Sequence, residues 1–154
     1  MNDNIMKQYG LTDAMNSEAS LADGLFVGRV LSQSKDIYRV VTENGTLFAE
    51  VSGKYRFQTR RFSDFPAVGD FVLLDRDLGD NGNGIIHQIL PRKSAFIRKS
   101  AGKSAQEQLV LANIDTTFIC MSANNDFNLK RLERYLVLVW ESGSTPVVVI
   151  TKID

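Results

Sequence analysis

The sequence predicts a small β-barrel followed by the opening of a parallel α/β unit, and three observations carry that prediction. Short β-rich runs separated by turn residues fill positions 25–90. Asn44-Gly45 lies between two of them, a strong hairpin signal because both turn residues then adopt positive φ. The last eight residues, Val147-Val148-Val149-Ile150-Thr151-Lys152-Ile153-Asp154, begin as a β-branched run after Pro146 and turn polar. Such a run suits a strand buried on both faces of a parallel sheet.

Composition sets the outer limits. Lysine plus arginine and aspartate plus glutamate number 18 each in 154 residues, so only a local patch could favour a polyanion. Cys120 and His87 are the only residues of their types, which leaves neither an intrachain disulfide nor a structural zinc site. Positions 1–10 hold no apolar core of signal-peptide length, and no stretch approaches the ~20 apolar residues of a membrane span. A soluble cytoplasmic protein without membrane contact follows. The length allows one ordinary domain, or a small domain and part of another. A strand with functional-looking residues and no covering helix after it reads as the cut edge of a longer protein.

Residues 1–24 are polar and mixed, and read as a loosely held arm with one short helix. Strands are expected at 25–31, 36–43, 46–51, 70–74 and 85–90. Five short strands in that space suggest an OB-fold over 25–91, with an SH3-like barrel as the other solution. The acidic loop 75–82 looks calcium-like, but Asp80 takes the required glycine position and Ile86 the required final glutamate, so it reads as a solvated turn. His87 falls within a strand and reads as structural.

Lys54-Tyr55-Arg56-Phe57-Gln58-Thr59-Arg60-Arg61 is different, with four cations and two aromatics in eight residues of a connecting loop. That mixture supplies phosphate contacts and faces for base stacking. A solvated loop with Tyr55 and Phe57 tucked beneath it is the plain alternative. A second basic stretch, Arg92-Lys93 to Lys103, follows Pro91 and reads as a linker opening a second unit, 92–154.

Gly102-Lys103-Ser104 is no phosphate loop, because position 97 is isoleucine where glycine is required. Ser104 and Glu107 instead fit a capping box opening a short helix through Leu111. A βαβ unit follows. Its first strand covers 116–121, with Cys120 as a buried small hydrophobe, and Asn128 caps a helix. Leu129, Leu132, Leu136, Val139 and Trp140 recur on one core-facing side of that helix, and Gly143 stops it.

Polar residues at the carboxyl end of a parallel strand lie where open α/β sheets bind ligands. Thr151-Lys152-Ile153-Asp154 stands one residue from Asn-Lys-x-Asp, the guanine-selecting motif of GTPases. An aspartate there accepts two parallel hydrogen bonds, from guanine N1–H and the exocyclic amine, and the lysine stem lies along the base. An exposed strand end is the plain alternative.

No phosphate loop precedes this motif, so either the motif is accidental or the order of motifs is permuted. With an N-terminal barrel, that permuted order resembles the ribosome small-subunit-dependent GTPase A family (RsgA, also called YjeQ or EngC). The matching residues are Gly28-Arg29-Val30, Tyr38-Arg39-Val40, Phe65-Pro66-Ala67-Val68-Gly69-Asp70 and Leu90-Pro91-Arg92-Lys93-Ser94 with Arg98. They continue through Glu107-Gln108, Ala112-Asn113-Ile114-Asp115, Phe127-Asn128-Leu129, Arg131-Leu132-Glu133-Arg134-Tyr135-Leu136 and residues 146–154.

The resemblance implies an OB-fold that binds the small ribosomal subunit and its rRNA, then a circularly permuted P-loop GTPase domain, truncated here at its guanine motif. It implies GTP and GDP as ligands, with magnesium and zinc held beyond Asp154. Carried over, Asp154 selects guanine and Lys152 supports the base, while threonine replaces the usual asparagine at Thr151. The implied rRNA contacts are Lys54, Tyr55, Arg56, Phe57, Arg60 and Arg61, joined by Arg92 and Lys93. Oligomers are not expected of the full-length protein, whereas copies of the truncated sheet could associate. The competing readings are a stand-alone OB-fold RNA-binding module without hydrolysis and a protein-interaction barrel.

Overall fold

A computed structural model describes residues 5–79, 82–99 and 107–153. Two short helices, α1 (Ile5–Gln8) and α2 (Asp13–Ala19), precede five strands: β1 (Phe26–Ser34), β2 (Ile37–Thr42), β3 (Thr46–Val51), β4 (Phe71–Leu74) and β5 (Gly84–Ile89). Between β3 and β4 lie α3 (Gly53–Gln58) and a 3-10 turn (Phe62–Asp64). The strands close into a barrel in the order β1-β2-β3-β5-β4, antiparallel except for β3 against β5. That closure and order bear out the five-stranded barrel.

Alternation along the strands builds two cores. Val30, Tyr38, Val40, Ala49, Val51, Val72, Leu74 and Ile86 fill one cluster. Phe71, Leu73 and Leu90 join Met6, Leu11, Met15 and Ala19 from the N-terminal helices in the other. The N-terminal arm is therefore packed rather than loosely held. The Thr12 side chain caps α2 at Met15 N (3.2 Å), and the Glu43 carboxylate receives Ile5 N–H (3.2 Å) at the start of α1.

The hairpin around Asn44-Gly45 forms, but not with two positive φ angles: only Gly45 has one (155°). The last paired residues are Val41 and Thr46, so the loop is longer than two residues; within it Thr42 N–H donates to Gly45 O (2.7 Å) around Glu43-Asn44, and the Asn44 side chain reaches Asp77. The tight two-residue turn is instead Lys35-Asp36, between paired Ser34 and Ile37, with Lys35 at φ 54°.

The second part differs most from expectation. The supposed linker contains β6 (Ala95–Lys99), paired antiparallel with β7 (Glu107–Ala112). Glu107 thus opens a strand, not a helix; Ser104 lies outside the described residues. The βαβ unit is present as β8 (Thr116–Ser122), α4 (Leu129–Glu141) and β9 (Thr145–Thr151), with β8 and β9 parallel and in register from Thr116–Thr145 to Ser122–Thr151.

β9 is not buried on both faces: Val147, Val148 and Ile150 are all exposed. Cys120 is exposed too, while its neighbours Ile119 and Met121 are buried. On α4, Val139 is buried but Leu129, Leu138 and Trp140 are not. With only two strands in this sheet, alternate side chains find cover on β8, and none along β9 is fully buried.

Candidate functional site

The barrel meets the second unit through residues that the sequence marked only as matched. Gly69 has φ 93°, and a Cβ there would stand 2.0 Å from Ala112 O, so only glycine permits this approach. Ala112 N–H donates to Val68 O (2.9 Å) beside it. Asn113, itself at φ 53°, accepts Lys93 N–H (2.9 Å) and donates to Gly69 O (3.1 Å). Its carbonyl receives Arg29 Nη2 (3.1 Å), and the Arg29 guanidinium lies 5.3 Å from the centre of the Phe71 ring. Burial lowers the pKa of Arg29, with Asp115 and Tyr9 opposing that shift.

Arg92 is the centre of this joint. Its Nε and Nη2 grip both oxygens of the buried Asp70 carboxylate (2.8 and 2.7 Å). Nη1 and Nη2 also donate to Ser63 O (2.8 Å) and Phe65 O (3.0 Å). Burial pulls the Arg92 pKa down, but the hydrogen bonds and charge of Asp70 outweigh it and the net shift is upward. Lys93 Nζ meets Asp115 at 2.6 Å. The structure thus turns Arg92 and Lys93 toward protein partners, Arg92 doing so beside the 3-10 turn that follows the other cations named for RNA.

Those others stand at one end of the barrel, with Lys54, Tyr55, Arg56 and Phe57 on a helix rather than the expected loop and Arg60 and Arg61 on the loop that follows it. Ser52 caps α3 at Tyr55 N (3.1 Å). Tyr55 is half-buried: its hydroxyl donates to Asp64 O (2.6 Å) and its ring packs edge-on against Phe65, 6.3 Å between centres. Phe57 is fully out in solvent. Arg56 reaches Asp36 (3.3 Å), which joins α3 to the β1–β2 turn and brings Lys35 to the same end. Lys54, Arg60 and Arg61 are exposed and make no ion pair among the described residues. Phe62, also exposed, was missed because its run, Phe62-Ser63-Asp64, carries no cation.

Thr151 and Lys152 lie at the carboxyl end of the parallel pair. Thr151 O receives Ala123 N–H (2.8 Å), which sets the strand end beside the loop after β8. In that loop the Asn124 side chain accepts Asp126 N–H (3.1 Å), and Asn128 caps α4 at Arg131 N (3.0 Å). Lys152 leaves the strand at φ 53° with its side chain exposed. Asp154, the residue named for guanine, lies outside the described residues. An open apolar groove of about 370 Å³, lined by Phe96, Leu111, Phe118, Tyr135 and Val139, does not include this strand end. Among the described residues no group of three or more His, Cys, Asp or Glu could hold a metal, and no helix is long and apolar enough to cross a membrane.

This arrangement is shared with solved structures. YjeQ from Thermotoga maritima superposes with a TM-score of 0.63 at 25% identity, over 84% of this chain and 42% of that one. YloQ, described as a circularly permuted GTPase, does so at 0.62 and 23% identity, over 86% of this chain and 42% of that one. The fold is therefore that of circularly permuted GTPases: a closed barrel followed by a parallel βαβ unit.

The RsgA GTPase family model matches residues 89–154. Small ribosomal subunit biogenesis GTPase RsgA 2 of Lactiplantibacillus plantarum is 41% identical over 151 residues, 98% of this chain and 42% of its own length. The chain belongs to the RsgA family, and it spans about two-fifths of the length of the curated relatives it matches.

Proposed function

We propose that this chain belongs to a GTPase that binds the small ribosomal subunit and acts in its assembly, hydrolysing GTP to GDP in the cytoplasm. The observation that carries this is the 41% identity to a small-subunit biogenesis GTPase over 98% of the chain. In this reading residues 25–91 are the ribosome-binding unit and residues 92–154 the start of the nucleotide-binding unit. Thr151, Lys152 and Asp154 receive guanine, and Lys54, Tyr55, Arg56, Phe57, Arg60 and Arg61 face rRNA. The geometry of Arg92 favours holding the two units together instead, and that of Lys93 an ion pair within the second unit. Magnesium and zinc belong to the whole protein.

Phosphoryl transfer needs a cradle for the phosphates and their magnesium, and Gly102-Lys103-Ser104 lacks the spacing to supply one. Residues 1–154 alone are therefore expected to show no magnesium-dependent GTP turnover. The intact reading frame is expected to turn GTP over faster when small subunits are added. There Asp154→Asn should cost about 100-fold in guanine-nucleotide affinity, because the amide keeps one acceptor but loses the charge and turns a donor toward a guanine donor. Wild-type affinity in that variant would remove Asp154 from the site. Turnover by the isolated chain would refute its predicted inactivity.

A further inference from the structure

We propose that the basic end of the barrel binds unpaired RNA, with Phe57 and Phe62 as the two faces on which its bases stack. The proposal rests on the RNA-binding reading above and narrows it to a class of RNA and to two rings. Phe57 on α3 is 92% exposed, and Phe62, opening the following 3-10 turn, is 71% exposed. Apolar side chains scattered singly on a surface need no explanation, but these two rings lie five positions apart with Arg60 and Arg61 between them.

The aromatic demand of the nearby core is already met. Tyr55 and Phe65 pack on the barrel cluster and on each other. Phe57 and Phe62 contribute little there, so their rings are available to a ligand. Five residues of chain span at most about 18 Å, so the two rings fall within the few nucleotides an OB-fold covers.

The surrounding charge suits a phosphate backbone. Lys54, Arg60 and Arg61 have no ion pair among the described residues, and with Lys35 and Arg56 the five cations of that end outnumber the acidic residues near them in sequence, Asp36, Glu50 and Asp64. Cations alone would suit duplex and single strand equally. The rings decide between them, because bases in a duplex have their faces occupied by each other, whereas splayed bases stack on aromatic side chains. A six-residue helix is also too short to read a groove along its length. An acidic peptide would engage the cations but leave the two phenyl rings without a role.

The test uses this chain with a short labelled RNA, unstructured or annealed to its complement, and follows anisotropy over a salt series. The single strand is expected to bind tighter. Phe57→Ala and Phe62→Ala should each weaken it about fivefold or more without changing the salt slope or duplex binding, and Phe57→Trp should retain affinity where Phe57→Leu does not. Both rings are exposed, so unchanged thermal melts are expected and would exclude unfolding as the cause. Equal affinity for the duplex, or indifference to both alanine changes, overturns the proposal. So does transfer of the effect to Phe48, the exposed ring opposite Arg39 on the β2–β3 face. An acidic peptide whose binding depends on Phe57 would assign the surface to protein and also overturn it. If neither RNA binds, the RNA-binding reading itself falls; where both bind, the Lys54/Arg60/Arg61→Ala variant should weaken both and flatten the salt slope, so that a failure of the rings alone leaves the RNA-binding reading standing.

Discussion

Asp70 is fully excluded from solvent, and a carboxylate in that position is tolerable only because every oxygen has a donor. Arg92 supplies two, and Ala67 N–H adds a third at 2.8 Å. Removing the guanidinium leaves the charge behind, so Arg92→Ala is expected to lower unfolding free energy by about 3–5 kcal/mol, read from urea midpoints. A loss below about 1 kcal/mol would show that the pair holds nothing together. Asp75 offers a titration at the same scale. The Arg76 hydrogen bond, with smaller help from Ile85 N–H, holds its carboxyl below the ordinary carboxylate range against a burial effect that raises it. A depressed native pKa means stability present above the unfolded value, about 3.9, and lost as pH falls through the native one. Asp75→Asn keeps an acceptor for Ile85 but loses the charge. The urea midpoints of variant and wild type should differ at neutral pH and converge as pH falls through the depressed native pKa; a gap that persists in acid would exclude this linkage.

At the scale of elements, α4 was legible because two independent signals agreed. Asn128 caps it as read, and the apolar spacing runs through Val139 to the glycine stop. Replacing Asn128 by alanine frees Arg131 N–H and should cost about 1 kcal/mol, seen as a lower melting temperature; no change would mean that water caps the helix equally well. β7 was misread because Ser104 and Glu107 imitate a cap over a segment with no helical periodicity to support it. Pairing with β6 decides that segment as strand, and pairing is a nonlocal event. The turn at Lys35-Asp36 was missed for a related reason: it uses a lysine in the left-handed region, where asparagine or glycine would have signalled it.

Across the whole molecule, the joint built from Gly69, Asp70, Arg92 and Asn113 fastens the barrel to the β6–β7 hairpin, while the β8–α4–β9 layer keeps apolar side chains in water. Trp140, the only tryptophan, is 63% exposed there. Its emission should be solvent-like and iodide-quenchable in dilute solution. It should shift to the blue as concentration rises and copies cover one another's apolar surface. Unchanged emission together with a monomeric sedimentation profile would show that this surface is not adhesive.

By itself the sequence determined the strands of the barrel, the strands and helix of the βαβ unit, and the order of motifs that marks the family. These are carried by period, caps and turns, which act between residues close in the chain. Only the tertiary structure decided that residues 5–19 pack on the barrel, that Cys120 and Trp140 face water, and that Arg92 turns inward to Asp70. Burial depends on which element supplies the covering face, and an arginine's role depends on which carboxylate the fold brings to it. Neither is written in local spacing, because both partners arrive from distant parts of the chain.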